Sequence, residues 1–206
     1  MSQTPPDYYD DLDGSLAAAK TLISHGAKDR RSPAHHPVVS TVDAHGQPQQ
    51  RVMILRAADW ENSELRFHTD ARSMKVAEVA ANARSSLLIY DEPRKIQLRL
   101  QGTARIGGKD ETDTAWHDST LFARRCYLAD PAPGSASAEP ASGLAPDMEG
   151  AMPDEDDVAP ARENFAILLI AVDSIEWLYL ANTGHRRARF IRDTASGIWR
   201  STWLVP

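Results

Sequence analysis

The chain has 206 residues, a formal net charge of −6, and 42% hydrophobic and 25% charged residues, values of a soluble globular protein able to bury a real core as one domain over 1–206. The acidic balance argues against general nucleic-acid binding, which rests on phosphate neutralisation, so any anion site must be a local cluster of cations. No apolar run nears the ~20 residues that span a bilayer, the acidic N-terminal run lacks the order of a signal peptide, and the one cysteine, Cys126, rules out an internal disulfide and fits a cytoplasmic protein.

Leucine, isoleucine and alanine recur at helical spacing from Asp11 to Ala27, with Gly26 as the expected stop. The period then changes. VVSTVD (38–43), QRVMILRAAD (50–59), ELRFHT (64–69), SSLLIYD (85–91) and KIQLRLQGTARI (95–106) read as strands joined by short turn-bearing links. One short helix, from about Ser73 to Ala81, interrupts the series. Hairpin-length links imply an antiparallel sheet, and closure into a barrel would remove its exposed edges. A parallel doubly wound sheet would need many more helices than this. A second helix is expected over Asp110–Leu128, with acids in its first turn as the dipole prefers. Residues 129–160, rich in Ala, Pro, Ser, Gly and acids, read as a mobile surface loop. NFAILLIAVDSIEWLYL, RRARFIRD and IWRSTWLV supply two or three further strands. The expectation is a mainly β, α+β protein of six to eight strands with a few peripheral helices.

Signatures of common catalytic sites are missing: the chain has no GxSxG, P-loop, GxGxxG or HExxH. His35 and His36 are adjacent and lack a spaced partner, so no metal site is expected. Cys126 lies among apolar residues of the second helix and reads as a buried structural thiol. In KIQLRLQG, alternation puts Lys95, Gln97, Arg99 and Gln101 on one face, where Lys95 and Arg99 read first as a solvated surface. The apolar run inside RVMILR suggests a strand buried on both sides, with Arg51 at the rim of the core. Thr69, Ser73 and Lys75 surround the start of the short helix, where N–H groups lack partners and the dipole is positive. Arg72 and Lys75 are thus two cations at a positive pole. They are either plain solvated surface or one half of an anion site.

RVMILR, then FHT-x3-SMK opening a helix, then KIQLRLQG, IEWLYL, HRRARF and a terminal WRSTWLVP, in that order, resemble the pyridoxamine 5'-phosphate oxidase family. The resemblance runs from about Pro37 to Pro206. It implies an antiparallel, Greek-key split β-barrel, usually a homodimer, with FMN in a cleft between subunits. It further implies that Arg51 and Lys75 bind the FMN phosphate with help from Thr69 and Ser73, and that Met74 lies in that same segment. Val52, Met53, Ile54 and Leu55 would present backbone to the flavin ring, Arg56 closes that motif, and His68 stands where the family has an aromatic residue. Gln97 would hydrogen-bond the polar edge of the ring, and Arg189 with the Trp177–Leu178 region would approach it from the second subunit.

Several positions depart from the family pattern. Ser73-Met74-Lys75 stands where the family has Ser-Arg-Lys, leaving Arg72 as the substitute cation, and Arg187 and Ala188 replace a histidine and an aspartate. Arg56, His68, Arg186 and Arg187 are the candidates for holding an anionic small-molecule substrate. No catalytic acid or base stands out. The implied activity is an FMN-dependent oxidoreductase. The alternatives are a flavin-binding redox or stress module without turnover, and a split-barrel binder of haem or deazaflavin. No nucleic-acid or membrane partner is expected.

Overall fold

The computed structural model describes residues 6–206; the first five residues of the polar N-terminal run lie outside the described residues. The first helix, α1 (Leu12–Lys28), is capped by Asp11, whose carboxylate accepts from the Asp13 and Gly14 N–H groups. It runs two residues past Gly26, which is no stop. Gly26 is instead a point of close approach, since a Cβ there would lie 2.5 Å from the Ala34 carbonyl carbon.

The strands are β1 (Val38–Val42), β2 (Pro48–Val52), β3 (Leu55–Asp59), β4 (Glu64–Asp70), β5 (Arg84–Asp91), β6 (Ile96–Ile106), β7 (Phe165–Tyr179), β8 (Arg186–Arg192) and β9 (Trp199–Leu204). The path β2-β1-β5-β6-β7-β4-β3 is antiparallel throughout, and β8 and β9 extend it from β7. Nine strands exceed the six to eight expected because QRVMILRAAD is two strands, broken at Met53–Ile54. Val52 and Ile54 are exposed there, so this run is not buried on both sides.

β7 shapes the sheet. One edge pairs with β6 along its length, while the other pairs with β4 over Phe165–Ala171 and with β8 over Ser174–Tyr179. That fork splits the sheet. At the same level β6 carries a bulge between Gln101 and Gly102. A Cβ on Gly102 would lie 2.0 Å from the Ala171 carbonyl oxygen, so only glycine fits.

The inner face packs on α1. Ala19, Leu22 and Ile23 join Leu55, Leu65, Phe67, Leu98, Leu100, Trp177 and Phe190 in the main core. A second cluster covers the outer face of the first half of β7, which explains the unbroken apolar run there. It contains Ala115, Trp116, Val158, Ala161, Phe165, Ile167 and Leu169.

The helix expected over Asp110–Leu128 is interrupted. α3 (Lys109–His117) ends at Asp118, and Thr120 caps a new turn, α4 (Leu121–Arg124), which continues as a 3-10 turn to Leu128. The interruption changes the helical phase, leaving Cys126 exposed rather than buried. Residues 129–154 carry no helix or strand, but 155–160 depart from the expected loop. There α5 (Glu155–Val158) begins with an Asp154–Asp157 capping box and buries Val158 completely. Among the described residues, no helix is long and apolar enough to cross a membrane.

Candidate functional site

The remaining helix, α2 (Met74–Ala81), follows β4 directly. Its N-cap residue, Ser73, makes no side-chain capping bond, and the first turn contains no acid. The Ser73 hydroxyl donates instead to the Asp70 carbonyl at 2.7 Å and lies 3.2 Å from the Thr69 hydroxyl. The positive end of α2 therefore keeps its dipole uncompensated beside two hydroxyls.

Lys75 is half-buried at this end. Burial lowers its pKa from the usual lysine value, the Arg51 charge pushes the same way, and Glu78 and Asp70 oppose both. Arg51 reaches the same place from β2: its Nη2 donates to Glu78 Oε2 at 2.9 Å and its Nη1 donates to the Thr41 hydroxyl. Thr41 in turn donates to the buried Glu78 carboxylate. The structure thus brings Arg51, Thr69, Ser73 and Lys75 around one helix start. It adds Glu78, which the sequence shows only as an acid one turn beyond Lys75. An oxyanion suits this donor set, since charge-assisted bonds from cations and free N–H groups are what it needs.

Arg72 does not belong to that set. Its guanidinium holds both Asp70 oxygens, at 3.0 and 2.8 Å, and donates to the Ala129 and Asp130 carbonyls. It fastens the start of the irregular segment to β4 and cannot stand in for a missing phosphate-binding arginine. Met74 points away, 68% exposed.

The outer face of the sheet collects a second group. Register places Val52, Val38, Leu88, Arg99, Glu176 and Arg189 in one row across five strand pairings. The adjoining row holds Tyr90, Gln97, Leu178 and Arg187. Glu176 accepts from Arg187 at 2.8 Å and Arg99 at 3.1 Å, with Arg189 at 3.5 Å. Burial pushes the Glu176 carboxyl up, but the three arginines outweigh it and hold it below the ordinary range.

Trp177, expected by resemblance to approach the ring, is fully buried on the opposite face, stacked at 6.2 Å on Tyr179. Leu178, one residue on, is the one beside Gln97. Met53 and Leu55 are also buried. Arg186 is tied to the N-terminal segment, bonded to Asp10 at 2.7 Å and lying over the Tyr9 ring.

His68 faces away from Thr69 and packs its ring against Phe165 at 5.0 Å. Burial pushes its pKa down to about 3, and the Arg56 and Arg66 charges act in the same direction, so the imidazole is neutral near pH 7. Sequence reasoning missed Arg66. Its alternation with His68 on β4 was the available signal.

The family described as pyridoxamine 5'-phosphate oxidase, FMN-binding domain, matches residues 17–108. A pyridoxine/pyridoxamine 5'-phosphate oxidase of Streptomyces avermitilis is 30% identical over 174 residues, 82% of this chain and 75% of that protein. The Bordetella petrii oxidase is 31% identical over 86 residues, 42% of this chain and only 40% of that protein, so the chain spans under half of this relative. In fold, the chain is similar to a pyridoxamine 5'-phosphate oxidase-related, FMN binding protein of Nostoc punctiforme, with a TM-score of 0.70 at 22% identity, covering 92% of this chain and 96% of that one. The chain belongs to the pyridoxine/pyridoxamine 5'-phosphate oxidase family of split-barrel proteins, and its cofactor is FMN.

Proposed function

We propose that the protein is an FMN-dependent oxidoreductase acting on a small anionic molecule, with the cofactor phosphate at the start of α2. The observation that carries this reading is the uncapped helix end with Lys75, Arg51, Thr69 and Ser73 around it. Lys75 supplies a point charge and the first-turn N–H groups supply donors. Arg51, now paired with Glu78, would share its fork with the phosphate. The Val52–Leu55 backbone would face the ring, and the Gln97 amide, which makes no side-chain bond among the described residues, would serve its polar edge. FMN, when bound, supplies the hydride chemistry. His68 stays neutral near pH 7, so it supplies no imidazolium proton as a general acid.

A second copy of the chain completes the site. Val52, Leu88 and Tyr90 are 62%, 41% and 49% exposed on the face that also carries Arg189, an apolar area suited to a partner rather than to water. Arg189 of that copy would then reach the ring. Pyridoxamine 5'-phosphate is the first substrate to assay, although Met74, Arg187 and Ala188 differ from the family pattern.

The test is an absorption spectrum of the purified protein, with mass analysis of the released cofactor and gel filtration. A yellow dimer releasing FMN supports the reading. A colourless protein that takes up no added FMN, or a monomer that binds it fully, contradicts it.

A further inference from the structure

Four arginines share the outer face of the sheet: Arg99 on β6, Arg187 and Arg189 on β8, and Arg200 on β9. Among the described residues, one carboxylate, Glu176, serves the first three, and Asp193 serves Arg200 at 3.2 Å. The patch therefore carries more cations than acids, and the Ile191 side chain is exposed within it.

The opposite charge is concentrated in one segment of the same chain. Residues 129–157 hold eight Asp or Glu and no Lys or Arg, which is −8 in a chain of net charge −6, so all the other residues together are +2. Among the described residues, Glu155 alone of these eight acids forms a salt bridge, to Arg124 at 2.8 Å. Glu139, Asp147 and Glu149 are exposed and face no paired cation. None of the four arginines of the patch bonds to this segment of its own chain. Both ends of the segment are fastened: Arg72 donates to the Ala129 and Asp130 carbonyls, and Arg125 donates to the Ala151 carbonyl. Between those points the chain has no helix or strand, and about ten residues on either side of its tip can extend up to ~30 Å. Fastened ends also reduce the ordering cost of docking such a loop.

We propose that this acidic loop docks on the arginine patch of a second copy of the chain, so that a symmetric pair carries two such clasps. The clasp rests on the reading that a second copy covers the face carrying Arg189. Charge that neutralises a covered face comes from the copy that covers it, and the loop is where that copy holds its surplus of acid.

Charge-swapped full-length chains with FMN in excess test this. One carries Glu139→Lys, Asp147→Lys and Glu149→Lys in the loop, and the other carries Arg99→Glu and Arg200→Glu on the patch. Each chain alone sets like charges together in both clasps, whereas a mixed pair matches both. By sedimentation at low salt, each swapped chain dimerises about tenfold or more weakly than wild type, and mixing the two restores the dimer. Native mass spectrometry then finds mixed pairs well above the random proportion. The neutral set Glu139→Gln, Asp147→Asn and Glu149→Gln weakens the low-salt dimer several-fold and flattens its salt dependence, which covers a swapped chain that fails to fold. Mixed pairs at the random proportion, or swapped chains that dimerise like wild type, overturn the clasp. So does a loss of stability in each swapped chain that mixing does not relieve, which would put the loop on the patch of its own chain. A wild-type protein that is monomeric at every salt concentration instead sinks the reading of a second copy.

Discussion

Arg51 and Glu78 form an ion pair at 2.9 Å beneath the first turn of α2, with Glu78 only 6% exposed and Arg51 24%. A buried carboxylate thus sits against one of the two cations assigned to the cofactor phosphate. Glu78 keeps Arg51 compensated and in place. Were the cofactor phosphate to bind here as proposed, the two anions would compete for one guanidinium.

Glu78→Gln separates these effects. The amide keeps the Thr41 bond but removes the charge, so FMN binds several-fold more tightly at low salt. Apoprotein stability falls by about 1–3 kcal/mol, less than the ~3–5 kcal/mol of a fully buried pair because Arg51 is partly solvated. Fluorescence titration and urea unfolding read the two quantities. Weaker FMN binding in the variant would show that Glu78 positions Arg51 rather than competing for it.

Gly102→Ala should lower stability by about 1–3 kcal/mol through overpacking against the Ala171 carbonyl, where the added Cβ would come within 2.0 Å. A thermal melt measures it. An unchanged Tm would mean that the fork of β7 relaxes more easily than the bulge geometry implies.

His68 makes stability depend on pH. Its folded pKa of about 3 lies below the ordinary imidazole value of 6.5, so between those values the unfolded chain holds the extra proton. Stability therefore rises with pH through that window and is lost as pH falls below about 6.5. The Arg56 and Arg66 charges act on the ring from β3 and β4, and Phe165 packs edge-on against it with Tyr127 on the same phenyl ring. His68→Phe should reduce the slope of unfolding free energy against pH by up to about one proton, or ~1.4 kcal/mol per pH unit. Denaturant melts at pH 4.5, 5.5 and 6.5 check this, and an unchanged slope would place the imidazole in water.

Most strands were legible because alternation is strong where one face is buried, as in Ile96, Leu98 and Leu100 against Gln97, Arg99 and Gln101. The break at Met53–Ile54 was not legible. An unbroken apolar run cannot show that Met53 still follows β1, its N–H bonding the Pro37 carbonyl, while Leu55 already pairs with β4. Within the Trp177–Leu178 region the face depends on parity: one residue along a strand reverses it, and only the β6–β7 register shows that Leu178, not Trp177, pairs with Gln97. Cys126 failed for a related reason, since the pause at Asp118–Thr120 resets the helical phase. In the site, the hydroxyls and Lys75 were readable from a helix start following a strand. The commitments of Arg72 to Asp70 and of Arg51 to Glu78 were not, because they depend on distances between segments.

The central claim is that the start of α2 holds the cofactor phosphate. Comparing FMN with riboflavin, which lacks that phosphate, in wild type and Lys75→Ala tests it most directly. Wild type should bind FMN much more tightly than riboflavin. Lys75→Ala should lose about tenfold or more in FMN affinity, keep its riboflavin affinity, and leave the apoprotein no less stable, since burial already disfavours the Lys75 charge. Equal weakening of both ligands, or FMN binding untouched by the substitution, would contradict the account.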